Sequence, residues 1–389
     1  MDTNKQNRDK TYWHSLNRGY ADGARRLFGA IFLGIVLVTI GVHSWSAFAV
    51  QQPIKNVNSF TDWCLNQEKL APDTRRTVNL LLQVAGTTNC KQGNEQLSSL
   101  TRLVLNGSQI SDIRPVASLT NLTTLLLSSN QITDISPLAS LTKLTTLSVE
   151  VNQITDIRPL ASLTNLTAVF LDSNQISDIS PLASLTNLNT LSLFDNQITD
   201  ISALASLTNL TTLSLLNNQV RDISALASLT NLTSVSLFDN QVTDISALSS
   251  LKELTRLSLG SNQISDISPL KSMKKLAWLA IFDNQLSDLK PLASLGNLTE
   301  LSLGNNRITD ISPLQSLTNL TELLLFNNQI TDISPLQSLT NLSLLDLYNN
   351  QITDISPLQS LTKLSAIDLR GNPLTNKTCP LKPESICRL

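Results

Sequence analysis

Histidine is almost absent from this sequence. Its two copies, His14 and His43, both lie within the first 49 residues. Mechanisms that pair serine or cysteine with histidine need an imidazole as the base, and most zinc sites use it as a ligand. No serine, threonine or aspartate stands beside a candidate base either. The sequence therefore predicts a protein that is not an enzyme and holds no cofactor or metal.

An excess of charge of one sign is also absent. The chain carries 28 basic and 30 acidic side chains, which gives a formal net charge of -2. Nucleic-acid-binding proteins present a basic face to the phosphate backbone. We therefore expect no nucleic-acid partner.

One 22-residue unit fills most of the chain with almost no drift. Leu188 to Asn209 reads LNTLSLFDNQITDISALASLTN, and thirteen such units span residues 100–372. Their shared asparagine recurs, without insertion or deletion, at Asn130, Asn152, Asn174, Asn196, Asn218, Asn240, Asn262, Asn284, Asn306, Asn328, Asn350 and Asn372. This period and its leucine spacing are typical of a leucine-rich repeat solenoid, in which stacked units share one core.

Each position of the unit predicts a local structure. The L-x-x-L-x-L segment alternates, which predicts a short strand with inward leucines, and in-register strands must pair in parallel. The asparagine turns the chain, and Ser-Pro, as in Ser136-Pro137, is predicted to cap a 3₁₀ turn. The predicted fold class is an α/β solenoid: a curved, single-layer, right-handed coil with a parallel β-sheet on the concave face and 3₁₀ turns on the convex face.

The first 60 residues do not follow the repeat. A basic start, the apolar run 27–42 and Ala47-Phe48-Ala49 predict a signal peptide over 1–49 that is cleaved to leave Val50. The alternative is a membrane anchor at 27–42, although this run is shorter than the ~20 residues of a spanning helix. Residues 50–60 are predicted to be a spacer.

Two caps are predicted to close the solenoid, at 61–99 and 373–389. In the first, Thr61 is expected to cap a helix from Asp62, and Pro72 to begin a second helix. All four cysteines, Cys64, Cys90, Cys379 and Cys387, lie in these caps. Export favours disulfides within each cap, Cys64–Cys90 and Cys379–Cys387. The alternative of zinc lacks histidine partners and a C-x₂-C spacing.

Aspartate also recurs at one phase of the repeat. The twelve residues are Asp112, Asp134, Asp156, Asp178, Asp200, Asp222, Asp244, Asp266, Asp288, Asp310, Asp332 and Asp354. A calcium ladder is one interpretation, but a Gly-Asp-rich nonapeptide is missing. We expect instead that each carboxylate accepts backbone N–H bonds of its own repeat.

The phrase ITDISPLASLTNLTTLSL resembles the 22-residue repeats of the bacterial internalin family over about residues 100–372. The resemblance implies an extracellular, protein-binding solenoid without enzymatic activity. Two features depart from internalins. Only residues 373–389 follow the repeats, where an immunoglobulin-like domain would stand, and the cysteine-bearing cap at 61–99 differs from theirs. The host-receptor role and individual binding residues are therefore not carried over.

The few aromatic side chains of the repeats share one kind of position. All seven fall at strand positions predicted to face outward on the concave sheet: Phe170, Phe194, Phe238, Trp278, Phe282, Phe326 and Tyr348. The rings at 194, 238, 282 and 326 recur every 44 residues, about 10 Å apart on alternate strands. Such rings could merely fill gaps between neighbours, but a large exposed apolar patch on a monomer usually marks an interface. Their removal is then expected to weaken binding and to leave stability nearly unchanged.

These observations predict recognition of a protein or peptide outside the cytoplasm through the concave face, by a monomer. The aromatic residues are the expected anchors, and five acidic residues are expected to favour a basic partner: Asp195, Asp239, Asp283, Glu300 and Glu322. Binding of carbohydrate or another envelope polymer is the alternative, as is a structural surface role. The expected location is secreted, periplasmic or cell-surface, with membrane association only if residues 27–42 are retained.

Overall fold

The structure of the chain is a computed structural model that describes residues 59–389. The predicted signal peptide and most of the predicted spacer lie outside the described residues. Within residues 59–389, no helix is long and apolar enough to cross a membrane.

Three short helices form the N-terminal cap: α1 (Phe60–Leu65), α2 (Pro72–Val84) and α3 (Cys90–Ser98). The first helix is capped by Ser59 and not, as the sequence suggested, by Thr61. Ser59 Oγ accepts the backbone N–H of Asp62, and the Asp62 carboxylate accepts the backbone N–H of Ser59 at 2.9 Å. This reciprocal pair satisfies two N–H groups that the helix itself leaves unpaired. Thr61 lies two residues further on, inside the helix.

Helix α2 begins at Pro72, as predicted, and docks onto the first repeat. Val78, Leu81 and Leu82 are buried on one face of it. Thr77, which is also buried, donates its hydroxyl to the backbone carbonyl of Asp112 at 2.6 Å. The helix therefore covers leucines that the first repeat would otherwise expose to water.

Fourteen parallel strands form one open sheet in sequence order, and neighbouring repeats pair in register at a spacing of 22 residues. They are β1 (Arg102–Val104), β2 (Thr124–Leu126), β3 (Thr146–Ser148), β4 (Ala168–Phe170), β5 (Thr190–Ser192), β6 (Thr212–Ser214), β7 (Ser234–Ser236), β8 (Arg256–Ser258), β9 (Trp278–Ala280), β10 (Glu300–Ser302), β11 (Glu322–Leu324), β12 (Leu344–Asp346), β13 (Ala366–Asp368) and β14 (Cys387–Arg388). The sheet forms the concave side of the solenoid, as the repeat predicts.

The core lies between this sheet and a row of 3₁₀ turns. Short 3₁₀ helices cover residues 114–118, 136–140, 158–162, 180–184, 202–206, 224–228, 246–250, 268–272, 290–294, 312–316, 334–338 and 356–360. In the fifth repeat the strand leucines Leu191 and Leu193 and the helix leucine Leu204 are all 0% exposed. Each repeat thus contributes one wall from its strand and one from its turn, and the stacking of repeats encloses both.

The aspartate ladder caps the 3₁₀ turns. Each of its twelve carboxylates accepts the backbone N–H two residues ahead, as Asp134 does from Ser136 at 2.8 Å. Ile135 occupies the N-cap position there, and Ser136 is already the first residue of the 3₁₀ helix. The predicted role of serine as the cap is therefore wrong, because the preceding aspartate reaches the same N–H group. Donation by the Ser180 backbone N–H likewise lowers the pKa of Asp178.

The asparagine of each repeat bonds to two repeats at once. Asn240 Nδ2 donates to the carbonyls of Leu215 and Leu237 at 2.9 and 3.2 Å, and its Oδ1 accepts the backbone N–H of Val220 at 2.9 Å. Leu215 and Val220 belong to the preceding repeat. The side chain therefore satisfies buried backbone groups at the turn and ties neighbouring coils together.

Both caps contain the disulfide that the sequence predicts. Cys64 is bonded to Cys90 with a Cα–Cα distance of 5.5 Å, and Cys379 to Cys387 with 5.8 Å. The C-terminal cap also adds β14 to the sheet, where Arg388 pairs with Asp368 of β13. The sequence did not indicate this last strand, since residues 373–389 do not follow the repeat.

Candidate partner-binding face

Side chains on the concave surface form three columns that run across strands β1–β13. Column 1 holds the first residue of each strand, column 2 the third, and column 3 the residue two positions further on. Alternation along a strand directs these positions away from the leucine core. The residue that follows column 3 forms a turn column. Every predicted anchor and acidic residue lies in one of these four columns.

The aromatic residues are spread over all three columns. Trp278 lies in column 1 and Phe170 in column 2. Column 3 holds the others: Phe194, Phe238, Phe282, Phe326 and Tyr348. Phe170, Phe194, Phe238, Trp278 and Tyr348 are half-buried, so each presents part of its ring to solvent.

Two of the rings are buried, which corrects the expectation that all seven are exposed. Phe282 is 6% exposed and Phe326 is 4% exposed. Column 3 has a glycine immediately before each of them, Gly260 and Gly304, and the rings lie over these glycines. A Cβ added to Gly304 would lie 2.1 Å from Cζ of Phe326, and one added to Gly260 would lie 2.9 Å from Cε1 of Phe282.

The alternation of glycine and phenylalanine therefore has a packing explanation. Phe238 also leans over Gly260, and its ring centroid is 5.5 Å from that of Phe282. This arrangement agrees with the gap-filling interpretation of Phe282 and Phe326. Their removal should cost stability, in contrast to the expectation for exposed rings.

Asp195, Asp239 and Asp283 lie in the turn column, where the backbone is left-handed. Their φ angles are +57°, +54° and +52°. Asparagine and aspartate tolerate this conformation better than most residues, and asparagine fills the same position in four other repeats. Asn217 Nδ2 donates to Asp195 at 2.7 Å, and burial raises the pKa of Asp283. The turn geometry is therefore a sufficient reason for aspartate here.

Glu300 and Glu322 lie in column 1 on adjacent strands, β10 and β11, and face each other in register. Both are half-buried. Burial, and then the charge of Glu300, raise the pKa of Glu322. On the other side of Glu300, the Arg256 guanidinium lies 4.7 Å from the centre of the Trp278 ring. Column 1 thus reads Arg256, Trp278, Glu300 and Glu322 over four successive strands.

A second acidic group was missed by the sequence analysis. Glu150 and Asp172 are adjacent in column 3. Ser148 Oγ donates to Glu150 at 2.7 Å, and Asp172 accepts from Ser192 Oγ at 2.5 Å and from the backbone N–H of Phe194 at 2.8 Å. Burial, together with the charge of the adjacent Glu150, raises the pKa of Asp172 to about 7. Aligning every residue of column 3, and not the aromatic ones alone, would have revealed this pair.

The C-terminal end of the face holds a more balanced group. Asp368 and Arg370 form a salt bridge with a closest distance of 2.5 Å, and the Arg370 guanidinium lies 5.7 Å from the centre of the Tyr348 ring. Burial raises the pKa of the neighbouring Asp346 to about 6. Over the three columns there are six carboxylates, in residues 150, 172, 300, 322, 346 and 368, and three guanidinium groups, in residues 102, 256 and 370. The face is therefore acidic.

Within residues 59–389, no group of three or more histidine, cysteine, aspartate or glutamate side chains could hold a metal ion. The arrangement can present aromatic surface, carboxylates and hydroxyls to a partner.

Sequence comparison places the repeats in a known family. The model of the family described as "Leucine Rich repeats (2 copies)" matches residues 98–140, 120–157, 142–184, 186–228, 230–272, 274–316, 318–360 and 340–383. A search of curated proteins found no match. Leucine-rich repeat folds are typically non-enzymatic scaffolds that bind proteins or peptides.

Solved structures narrow the class. The chain is similar to an internalin, InlF of Listeria monocytogenes, with 38% identity and a TM-score of 0.67, over 77% of this chain and 96% of that one. It is also similar to the functional domain of InlJ of the same organism, with 26% identity and a TM-score of 0.68, over 82% of this chain and 67% of that one. The plant peptide hormone receptor RGFR1, solved with RGF2, shares the fold alone: 24% identity, a TM-score of 0.59, and 71% and 52% coverage. The chain belongs to the leucine-rich repeat proteins and, within them, to the internalin type.

Proposed function

We propose that the chain is an extracytoplasmic binding protein that recognises a protein or peptide with its concave face. The observation that carries this proposal is the row of half-buried aromatic rings on an otherwise polar, acidic sheet. Phe194, Phe238, Trp278 and Tyr348 each expose part of a ring there. Aromatic side chains of this kind, surrounded by polar groups, supply most of the binding energy at protein interfaces.

The charge of the face favours a basic partner. Six carboxylates and three guanidinium groups occupy the three columns, and one of those guanidinium groups, that of Arg370, is already paired with Asp368. Opposite charges on two partners accelerate their encounter and exclude wrong partners. We therefore expect the affinity to fall moderately as salt concentration rises.

Location outside the cytoplasm is supported by the two disulfides. Both close short segments of the caps, with sequence separations of 26 and 8 residues. Bonds of this kind persist in oxidising compartments and are rare in the cytosol. N-terminal sequencing of the native protein tests the export step, and a start at Val50 is the expected result.

The binding proposal can be tested with a random 12-residue peptide library displayed on phage. Peptides selected by the full-length chain should bind Phe194→Ala and Tyr348→Ala variants with affinities lower by about 2 kcal/mol each, if these rings are hot spots. Asn209→Ala is the control, since Asn209 is exposed outside the three columns. Peptides that bind the two aromatic variants as well as the unaltered chain would contradict the proposal.

A further inference from the structure

Because the thirteen repeats are nearly identical, each serves as a reference for the others. Column 1 holds small neutral residues over six successive strands: Thr124, Thr146, Ala168, Thr190, Thr212 and Ser234. From β8 to β12 its character changes to Arg256, Trp278, Glu300, Glu322 and Leu344, and β13 returns to a small residue, Ala366. The leucines, asparagines and aspartates of the same repeats keep their positions. The change is therefore confined to a surface that the fold does not need for its own packing.

We propose that Arg256, Trp278, Glu300 and Glu322 form the specificity-determining subsite of the concave face, and that it takes a lysine or arginine side chain of an extended partner segment. This inference rests on the proposed function and adds where on the face the partner is selected. It also assigns the selection of a basic partner to column 1. Asp195, Asp239 and Asp283 are not part of the subsite, because the left-handed turn already explains why aspartate occupies those positions.

The two glutamates are a like-charge pair on neighbouring strands. Their Cα positions pair directly across β10 and β11, so the strands hold them roughly 4.8 Å apart. Like charges placed directly opposite each other destabilise a sheet. Within residues 59–389, neither carboxylate is in an ion pair or a side-chain hydrogen bond of the structure. A cation placed between them would relieve this repulsion and be bound by both.

Arg256 and Trp278 give the subsite a direction. The indole already has one guanidinium group 4.7 Å from its centre, which is the geometry of a cation–π contact. The positive charge of Arg256 on β8 disfavours a second cation at that end. The partner's cation is therefore directed to the other side of Trp278, where Glu300 and Glu322 lie.

The subsite covers four neighbouring strands. From β8 to β11 the face spans roughly 14 Å, the length of about four extended residues.

The experiment uses the same displayed library and the full-length chain. Selected peptides should be enriched in lysine or arginine, and their affinity for a Glu300→Gln/Glu322→Gln double variant should fall about tenfold or more. Glu253→Gln is the matched control. Glu253 is paired with Lys275 away from the concave face, and its loss should change the affinity less than about twofold. Removing like-charge repulsion should leave the melting temperature of the double variant unchanged or higher, so a loss of binding would not reflect unfolding.

Two results would separate this inference from the function on which it rests. If the selected peptides lose affinity for Phe194→Ala and Tyr348→Ala but bind the double glutamine variant normally, the subsite is wrong and the concave-face function stands. If neither the aromatic nor the glutamine variants change binding, both are wrong. Selected peptides without enrichment of basic residues would also overturn the subsite.

Discussion

At the scale of single residues, the concave face combines side chains that support the fold with side chains that are free to bind. Phe282 and Phe326 fill the space above Gly260 and Gly304, whereas Phe194 and Tyr348 remain half-exposed. The sequence pattern makes these rings look alike because they share one strand position. Their difference depends on the neighbour in the preceding repeat, which is either a glycine or a larger side chain.

The glycine–phenylalanine pairing predicts a specific dependence between two substitutions. Phe326→Ala should lower the free energy of unfolding by about 2–4 kcal/mol, toward the lower end of values for buried phenylalanine. Gly304→Ala should also destabilise, by about 1–3 kcal/mol, since its Cβ would overlap the Phe326 ring. In the Phe326→Ala background the same Gly304→Ala change should cost much less.

Urea unfolding of the four proteins measures this dependence. Gly296→Ala is the control, because a Cβ at Gly296 would meet nothing within 4 Å. Additive effects of the two substitutions would show that the ring does not lie over the glycine.

Asp172 predicts how stability changes with pH. Its pKa is raised to about 7 in the folded chain, first by burial, from a usual value of 3.8. Between these two values the unfolded chain loses the proton while the folded chain keeps it. Stability should therefore fall as pH rises through this window, by at most about 1.4 kcal/mol per pH unit for one proton, and should level off above it.

Asp172→Asn should remove this contribution. Between pH 4 and pH 7 the unfolding free energy of the unaltered chain should therefore fall relative to that of the variant. Asp200→Asn provides a control of opposite sign, because the backbone N–H of Ser202 lowers the pKa of Asp200. Parallel stability curves for the unaltered chain and Asp172→Asn would contradict the account.

At the scale of secondary-structure elements, most of the fold could be predicted from the sequence. A strict 22-residue period determines parallel, in-register strands, and alternation determines which side chains face the core. Contacts between repeats are harder to predict. Each asparagine forms hydrogen bonds to the preceding repeat, and Asp134 accepts the backbone N–H of Ser136. These contacts depend on side-chain positions that a sequence pattern does not contain.

The asparagine ladder should be the most sensitive polar element of the solenoid. Asn240→Ala would leave the buried Val220 N–H without its partner, at a cost of about 1–3 kcal/mol. The Leu215 and Leu237 carbonyls would each lose one of two bonds, since Asn218 and Asn262 also donate to them. Asn209→Ala removes one exposed bond, to the Thr186 carbonyl, and should cost less than about 1 kcal/mol. Thermal unfolding compares the two, and equal melting temperatures would show that the ladder is not what holds the repeats together.

At the scale of the whole molecule, the chain is a one-dimensional stack whose ends need protection. A solenoid opens from its termini, because a terminal repeat has one neighbour where an internal repeat has two. Helix α2 protects one end, and β14 with the Cys379–Cys387 bond protects the other. The caps protect the ends of the array, and at the C-terminal end Arg388 of β14 continues column 2 beside Asp368.

Removing the second bond should therefore act locally. In a Cys379→Ser/Cys387→Ser variant, amide hydrogen exchange should accelerate in β13 and β14 and leave β5–β8 unchanged. Loss of a native disulfide typically costs about 2–5 kcal/mol, with the short loop here favouring the lower end. Uniform acceleration across all repeats would indicate that the solenoid unfolds as one cooperative unit.

The central claim is that the concave face contacts the partner, and site-specific photo-cross-linking tests it most directly. A photoreactive residue can replace Thr212 in column 1 or Thr208 in the exposed turn of the neighbouring repeat, so the two probes differ mainly in the surface they occupy. With a peptide selected by the unaltered chain, the account predicts a covalent adduct from position 212 and none from position 208. An adduct from position 208 alone would contradict it.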